Sequence, residues 1–227
     1  PELNVACLHA FGHYTLQLGQ HRLDALGDAH GVGVRLLLHG EDHRRLAVEA
    51  RVAALGPRGE VNVGYLMQSG RLASGATASL AGWTKPAAEP EIAITIARDV
   101  KPGGDHKAAA DAILSLTPAI ELADVDLPFQ DPEAILKGNI FQRHVVLSGN
   151  SRNGGSTSGL TGTIFRDGKE SGSTAEPEAL TGKLPDIVRH VADLLGAFGE
   201  QLSAGDIIIA GSILPPLIIT PEERKLS

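Results

Sequence analysis

Apolar positions recur at helical spacing through the first sixty residues, a stretch rich in Ala, Leu, Arg and His. Residues 42–55 read as a helix there, stopped by Gly56-Pro57. From Gly64 the pattern shortens to β-type runs separated by Gly, Ser and Thr. Residues 61–67 alternate as a strand does, and 92–97 form a fully buried strand. The Ala-rich run 107–116 reads as a helix, and 120–125 and 144–147 as strands. Residues 149–162 are too polar for core and form turns. No Gly-Lys-Ser/Thr closes them, so they are not a phosphate-cradling loop. Residues 160–169 read as strand, Asp167-Gly168 turn, strand. Residues 185–198 make the clearest amphipathic helix, with Ile187, Val188, Val191, Leu194 and Leu195 on one face and Gly199 ending it. Residues 204–212 are a turn feeding a buried strand, and 217–220 one more short strand. No βαβ alternation appears, so an α+β protein with a folded-over antiparallel or mixed sheet is expected, with a helical region at 1–60 and a second domain at 61–227.

Composition narrows the class. At 42% hydrophobic residues the 227-residue chain can bury a sizeable core, although aromatics supply only 4% of it. A net charge of −7 without a Lys/Arg block argues against nucleic acid as a partner. Cys7 is the one cysteine, so no intrachain disulfide can form, and a reducing, cytoplasmic setting is expected. No apolar run reaches the ~18 residues of a membrane span. His9, His13, His21, His30, His39 and His43 crowd the first segment, but their intervals follow no ligand motif, and they read as surface or boundary residues.

The candidate chemistry is acidic. Glu89 and Glu91 flank Pro90 at the start of an apolar run, and residues one and three of a strand share a face. Two carboxylates held that close repel unless a cation or proton lies between them. Glu121, from another apolar segment, could close a set of three. Three oxygen donors leave room for water and a chelating substrate, the usual way of holding Mg²⁺ or Mn²⁺. Asp124 is a reserve ligand three residues on, although an ordinary exposed acid reads as well.

Several segments together carry a resemblance. Residues 88–99, with Glu89-Pro90-Glu91, resemble the signature of 2-keto-4-pentenoate hydratases, in the fumarylacetoacetate hydrolase-like superfamily. Residues 118–122 are similar to that family's second acidic segment, Gly138-Asn139 to its turn before a strand, and 202–212 to its C-terminal Ala-Gly-Asp…Gly-Ser strand. The resemblance implies a fumarylacetoacetase C-terminal-like mixed β-roll, commonly a homo-oligomer. It also implies Mg²⁺ or Mn²⁺ on Glu89, Glu91 and Glu121, and a small 2-oxo acid as substrate.

Departures are equally specific. The family's Gly-Tyr/Trp-Lys stretch, whose lysine reaches the substrate, reads Gly64-Tyr65-Leu66 here. Its Gly-His-Pro reads Gly182-Lys183-Leu184-Pro185, and the segment before the acidic strand is short. Lys85 is the nearest cation to replace the missing lysine, as a substrate-orienting catalytic residue. Gly211 and Ser212 could offer an amide and a hydroxyl to the substrate carboxylate. The expected function is a metal-dependent hydratase of a 2-hydroxydienoate in aromatic catabolism. Decarboxylation or C–C hydrolysis of an oxo-dioate, or a non-catalytic subunit, is the alternative.

Overall fold

The structure is a computed structural model that describes residues 2–5, 8–10, 13–15, 33–37, 62–127, 134–135 and 138–226. Strands β1 (Glu2–Val5), β2 (Leu8–Ala10), β3 (His13–Thr15), β4 (Gly33–Leu37) and β5 (Asn62–Tyr65) come first. They are followed by β6 (Arg71–Ala73), β7 (Ala76–Ser79), β8 (Pro86–Ile96), helix α1 (His106–Asp111), β9 (Ile113–Asp124) and β10 (Gln142–Leu147). The chain continues through β11 (Arg152–Asn153), β12 (Gly162–Arg166), β13 (Lys169–Thr174), helix α2 (Leu184–Ala197), β14 (Ile207–Ser212), β15 (Leu217–Ile218) and β16 (Lys225–Leu226). The α+β expectation holds. Of the first sixty residues, those described are strands shared between both sheets, and the helix expected at 42–55 lies outside the described residues, as do His21, His30, His39 and His43.

One sheet runs β2-β3-β12-β16-β1-β7, with β13 on β12. The other runs β5-β4-β14-β8-β9-β10-β6, with β11 on β9 and β15 on β8. In the second sheet β5 and β6 are consecutive in the chain yet occupy opposite ends of the strand path. Laid flat, the six gaps between them would span roughly 29 Å. The chain from Tyr65 to Arg71 reaches about 21 Å at most. The sheet therefore has to curl until its two edges approach, which makes it a roll with a concave inner face. Asn139 fastens the closure: its Oδ1 accepts from the Tyr65 amide and its Nδ2 donates to the Tyr65 carbonyl, both at 2.8 Å. That side chain acts as a ladder rung to an edge strand. It sits at φ 55, and Ile140 and Phe141 follow at φ 53 and 67, a left-handed turn that a β-branched residue adopts only under constraint.

Strand parity sorts the core. Ile92, Ile94, Leu116 and Ile208 face outward from the roll and bury against Leu184, Ile187, Val188, Val191 and Leu195 of α2. Ala88, Ile120, Leu122 and Val146, on that same face further along, pack against Leu3, Val5, Ala78 and Ile164 of the other sheet. The inner face holds a smaller cluster of Leu66, Ala93, Ala119, Val145, Leu147 and Ile209.

One predicted element is corrected. The helix expected at 107–116 ends at Asp111, and Ile113 opens a twelve-residue strand. Pairing overrides the local Ala-rich signal: Leu116 opposes Ile94 and Ser115 opposes Thr95, and Ser115 is buried while Leu114 points out to solvent. The Asp167-Gly168 hairpin is as expected, with positive φ at both residues. Among the described residues no helix is long and apolar enough to cross a membrane.

Candidate active site

Prolines set the acids in register. Pro86 and Pro90 have no N–H, and their carbonyls turn away from β9, accepting from Ile219 and Ile213 at 2.8 Å each. The backbone groups of the intervening Glu89, and of Glu91 after it, therefore turn toward β9. Pro118 in β9 likewise turns its carbonyl away from β8, to the Ser148 amide at 2.9 Å. Proline survives in the middle of a sheet only where its missing donor is not required. These constraints pair Glu89 directly with Glu121, and Glu91 with Ala119.

Glu89, Glu91 and Glu121 consequently share the inner face of the roll. Glu91 is 2% exposed and Glu121 1%, while Glu89 is half-buried. Like charges placed directly opposite on a ladder destabilise it, and more so out of water. Ala87 and Ala123, opposite each other in the next inward-facing row, contribute only methyl groups beside them.

Glu91 is aimed by the backbone of β14. The ladder between β14 and β8 shifts register between Ile209 and Ser212, a bulge at which Gly211 takes φ 92. The Gly211 amide thereby donates to Glu91 Oε2 over 2.8 Å. Ser212 Oγ donates to the Leu214 carbonyl at 2.5 Å, with the Pro90 carbonyl at 3.4 Å. Both groups expected to bind a substrate carboxylate are thus engaged inside the protein, and Gly211 positions an acid instead.

Asp124 is engaged as well. Its parity is opposite to that of Glu121, and its carboxylate accepts from the amides of Thr84 and Lys85 at 2.7 to 3.1 Å. It fixes the entry to β8. Lys85 continues the parity of Glu89, because its carbonyl accepts from the Val125 amide at 3.0 Å. Four residues separate it from Glu89, so their Cα atoms stand roughly 13 Å apart. That distance leaves Lys85 on the same face but outside the acid cluster itself. Leu66, in the place of the family lysine, is 4% exposed and belongs to one apolar cluster with Ala119 and Val145, the cross-strand neighbours of Glu91 and Glu121.

Three carboxylates on one face, two of them buried and one pair directly opposed, match in donor type and backbone placement what a divalent cation requires. The rotamers do not yet converge. Among the described residues no group of three or more His, Cys, Asp or Glu stands ready to hold a metal ion, and one oxygen of Glu91 is turned to Gly211.

The rim of the roll holds a cavity of about 390 Å³, lined by residues 65, 67, 69 and 70 of the closing segment and by 138, 139 and 142–144. Gln142 within it opposes Ala123, so it lies on the inner face two residues along from Glu121. It is 7% exposed. The sequence pattern misses this residue, because the bulge between Gln142 and His144 breaks the alternation and the pattern starts the strand at His144.

An E-x-E pair thus faces a third glutamate on the inner face of the roll. Residues 24–222 match the family described as fumarylacetoacetate (FAA) hydrolase C-terminal, and the chain belongs to that family. It is 28% identical over 161 residues to 2-hydroxyhexa-2,4-dienoate hydratase of Comamonas testosteroni, a match covering 67% of this chain and 60% of that enzyme. The chain thus spans about three fifths of the length of that relative. Its fold is similar to 4-oxalocrotonate decarboxylase from Pseudomonas putida G7, complexed with calcium and acetate, at TM-score 0.62 and 21% identity over 85% of this chain and 71% of that one. Fumarylpyruvate hydrolase from Pseudomonas aeruginosa, in complex with Mn²⁺ and pyruvate, aligns at TM-score 0.52 and 13% identity over 85% and 82%. The sequence relative is thus a hydratase, and the two solved structures of similar fold are a decarboxylase holding calcium and a hydrolase holding Mn²⁺.

Proposed function

We propose that this protein is a divalent-metal-dependent lyase acting on a small 2-oxo or 2-hydroxydienoate acid, of the kind met in aromatic catabolism. The observation that carries this reading is the direct pairing of Glu89 with Glu121, with Glu91 on the same inner face. Glu89, Glu91 and Glu121 would hold Mg²⁺ or Mn²⁺. When bound, such an ion supplies Lewis acidity that stabilises the enolate of a chelated 2-oxo acid.

The chain's own groups do the rest. Gly211 keeps Glu91 turned into the roll, and Leu66 with its aliphatic neighbours keeps water off the inner flank of the acids. Hydration of 2-hydroxypenta-2,4-dienoate moves the enol proton to C5. Water then adds across C3–C4, its oxygen going to C4 and its proton to C3. Lys85, at the far end of the row, would steady the substrate. The hydratase relative supports this reading, and the decarboxylase resemblance supports loss of CO₂ from an oxo-dioate as the second.

The test is an assay of the protein with Mn²⁺ and a panel of dienol and oxo acids, followed by loss of ultraviolet absorbance. Metal-dependent consumption of at least one acid is expected, abolished in Glu91→Gln. Turnover that persists without metal, or an unchanged Mn²⁺ titration in Glu91→Gln, sinks the assignment.

A further inference from the structure

The hydrogen-bond network around Asn139 determines which end of the Gln142 amide is left unpaired beside the rim cavity that this residue lines. Asn139 Oδ1 takes the Tyr65 N–H, so its Nδ2 is the atom turned to the Tyr65 carbonyl and to Gln142. Nδ2 can only donate. It therefore meets Gln142 Oε1, at 3.3 Å, and Gln142 Nε2 is left as a buried donor with no hydrogen-bond partner among the described residues. A buried amide donor without an acceptor costs more than the bond it forgoes, so native proteins rarely leave one. Gly70 lies against that donor without covering it further: a Cβ there would stand 3.8 Å from Nε2, and 2.9 Å from the Arg143 carbonyl, too close to fit unless the backbone shifts.

The donor is also placed in line with the acids. Gln142 opposes Ala123, and Ala123 opposes Ala87, so one row of the inner face reads Gln142, Ala123, Ala87. The next inward-facing row holds Glu121 and Glu89. The two rows lie two residue repeats apart, and Gln142 stands one strand to the side of Glu121, so the diagonal between those two backbone positions is roughly 8 Å, the span of a short carbon chain. Methyl groups floor the gap. Lys85 continues the face beyond Ala87, whereas the Arg143 guanidinium is already held by Asp126 at 2.9 Å.

We infer that this site selects a 2-oxo acid carrying a second carboxylate at its far end, and that Gln142 Nε2 is the donor that recognises it. The inference rests on the proposed function, since the acid cluster has to anchor the 2-oxo end. It turns the choice between monoacid and dioate substrates into a question about one amide.

Calorimetry on the Mn²⁺-loaded protein with 2-oxohexanoate and 2-oxohexanedioate tests it without requiring turnover. The dioate should bind roughly tenfold to a hundredfold more tightly, as a hydrogen bond to a charged group implies. That ratio should collapse toward one in Gln142→Leu. It should fall below one in Gln142→Glu, which keeps an acceptor toward Asn139 but sets a carboxylate against the ligand's own. Melting curves of both variants establish that they fold. Equal affinities in the wild type, or a ratio that survives both substitutions in folded protein, overturns the inference and leaves the metal site standing. If neither acid binds with Mn²⁺ present, the proposed function itself is wrong.

Discussion

The Gly211 amide donates to Glu91 Oε2 from a residue whose φ is 92, in the bulge of β14. Side chains other than glycine's reach that conformation only at a cost of about 1–3 kcal/mol. Gly211→Ala should therefore lower Tm by several degrees, at about 2–4 °C per kcal/mol for a chain of this size. It should also weaken Mn²⁺ binding, because relaxation of the bulge swings the amide off Glu91. A variant that loses stability but keeps its Mn²⁺ titration would separate the bulge from the acids.

The Glu89–Glu121 pair makes an opposite-signed prediction for the metal-free and metal-loaded protein. Glu121→Gln removes one of two like charges placed face to face, one of them almost fully buried. Without metal the variant should be more stable by about 1 kcal/mol. With Mn²⁺ it should bind at least tenfold more weakly, about 1.4 kcal/mol. Thermal melts with and without Mn²⁺ read both effects, and the crossing of the two curves is the signature of a ligand set. A uniform loss in both conditions would mark Glu121 as an ordinary core residue.

Leu66 shares an apolar cluster with Ala119 and Val145, the cross-strand neighbours of Glu91 and Glu121. An ammonium at that position would be surrounded by aliphatic groups, yet close to the carboxylates. Leu66→Lys should fold, with its charge paired inside the roll, and should raise hydration of 2-hydroxypenta-2,4-dienoate at saturating Mn²⁺. The rate of absorbance loss under single-substrate conditions measures this. A folded variant with no gain directs attention away from hydration and toward chemistry on an oxo-dioate.

The acid cluster was legible because strand parity is a two-residue rule: Glu89 and Glu91 share a face wherever the strand lies, and Pro90 only reinforces it. The match of Glu121 to Glu89 was legible from family resemblance and not from spacing, since register is a tertiary property. Gly211 illustrates the reverse. A positive φ and a bulge decide where its amide points, and neither is written in residue order. The helix at 107–116 overran because alanine propensity is a weak preference that a twelve-residue pairing partner overrules. Closure of the roll, which brings Tyr65 to Asn139 across 74 positions, leaves no local trace.

Away from the acids, Arg166 and Glu223 form a buried pair that fixes the chain's last strand. Arg166 Nη1 stands 3.2 Å from Glu223 Oε1, Nη2 donates to the Ile218 carbonyl, and both side chains are at most 4% exposed. Burial pushes the Glu223 carboxyl above its ordinary value of 4.5, with the Thr220 amide and Arg166 opposing that shift. A folded value above the unfolded one means the folded state holds the proton more tightly. The resulting stability is complete below the unfolded value and is lost as pH rises through the folded one. Arg166→Met removes the opposing charge and should destabilise the protein by about 3–5 kcal/mol at pH 7. The deficit should shrink as pH falls toward 4.5, because a protonated Glu223 can be buried at far lower cost. The double variant Arg166→Met/Glu223→Leu leaves no charge behind and should recover most of the loss at every pH. Urea melts of the three proteins between pH 4.5 and 8 separate the outcomes: a deficit independent of pH, or a double variant no better than the single, would show that this pair acts through packing rather than charge.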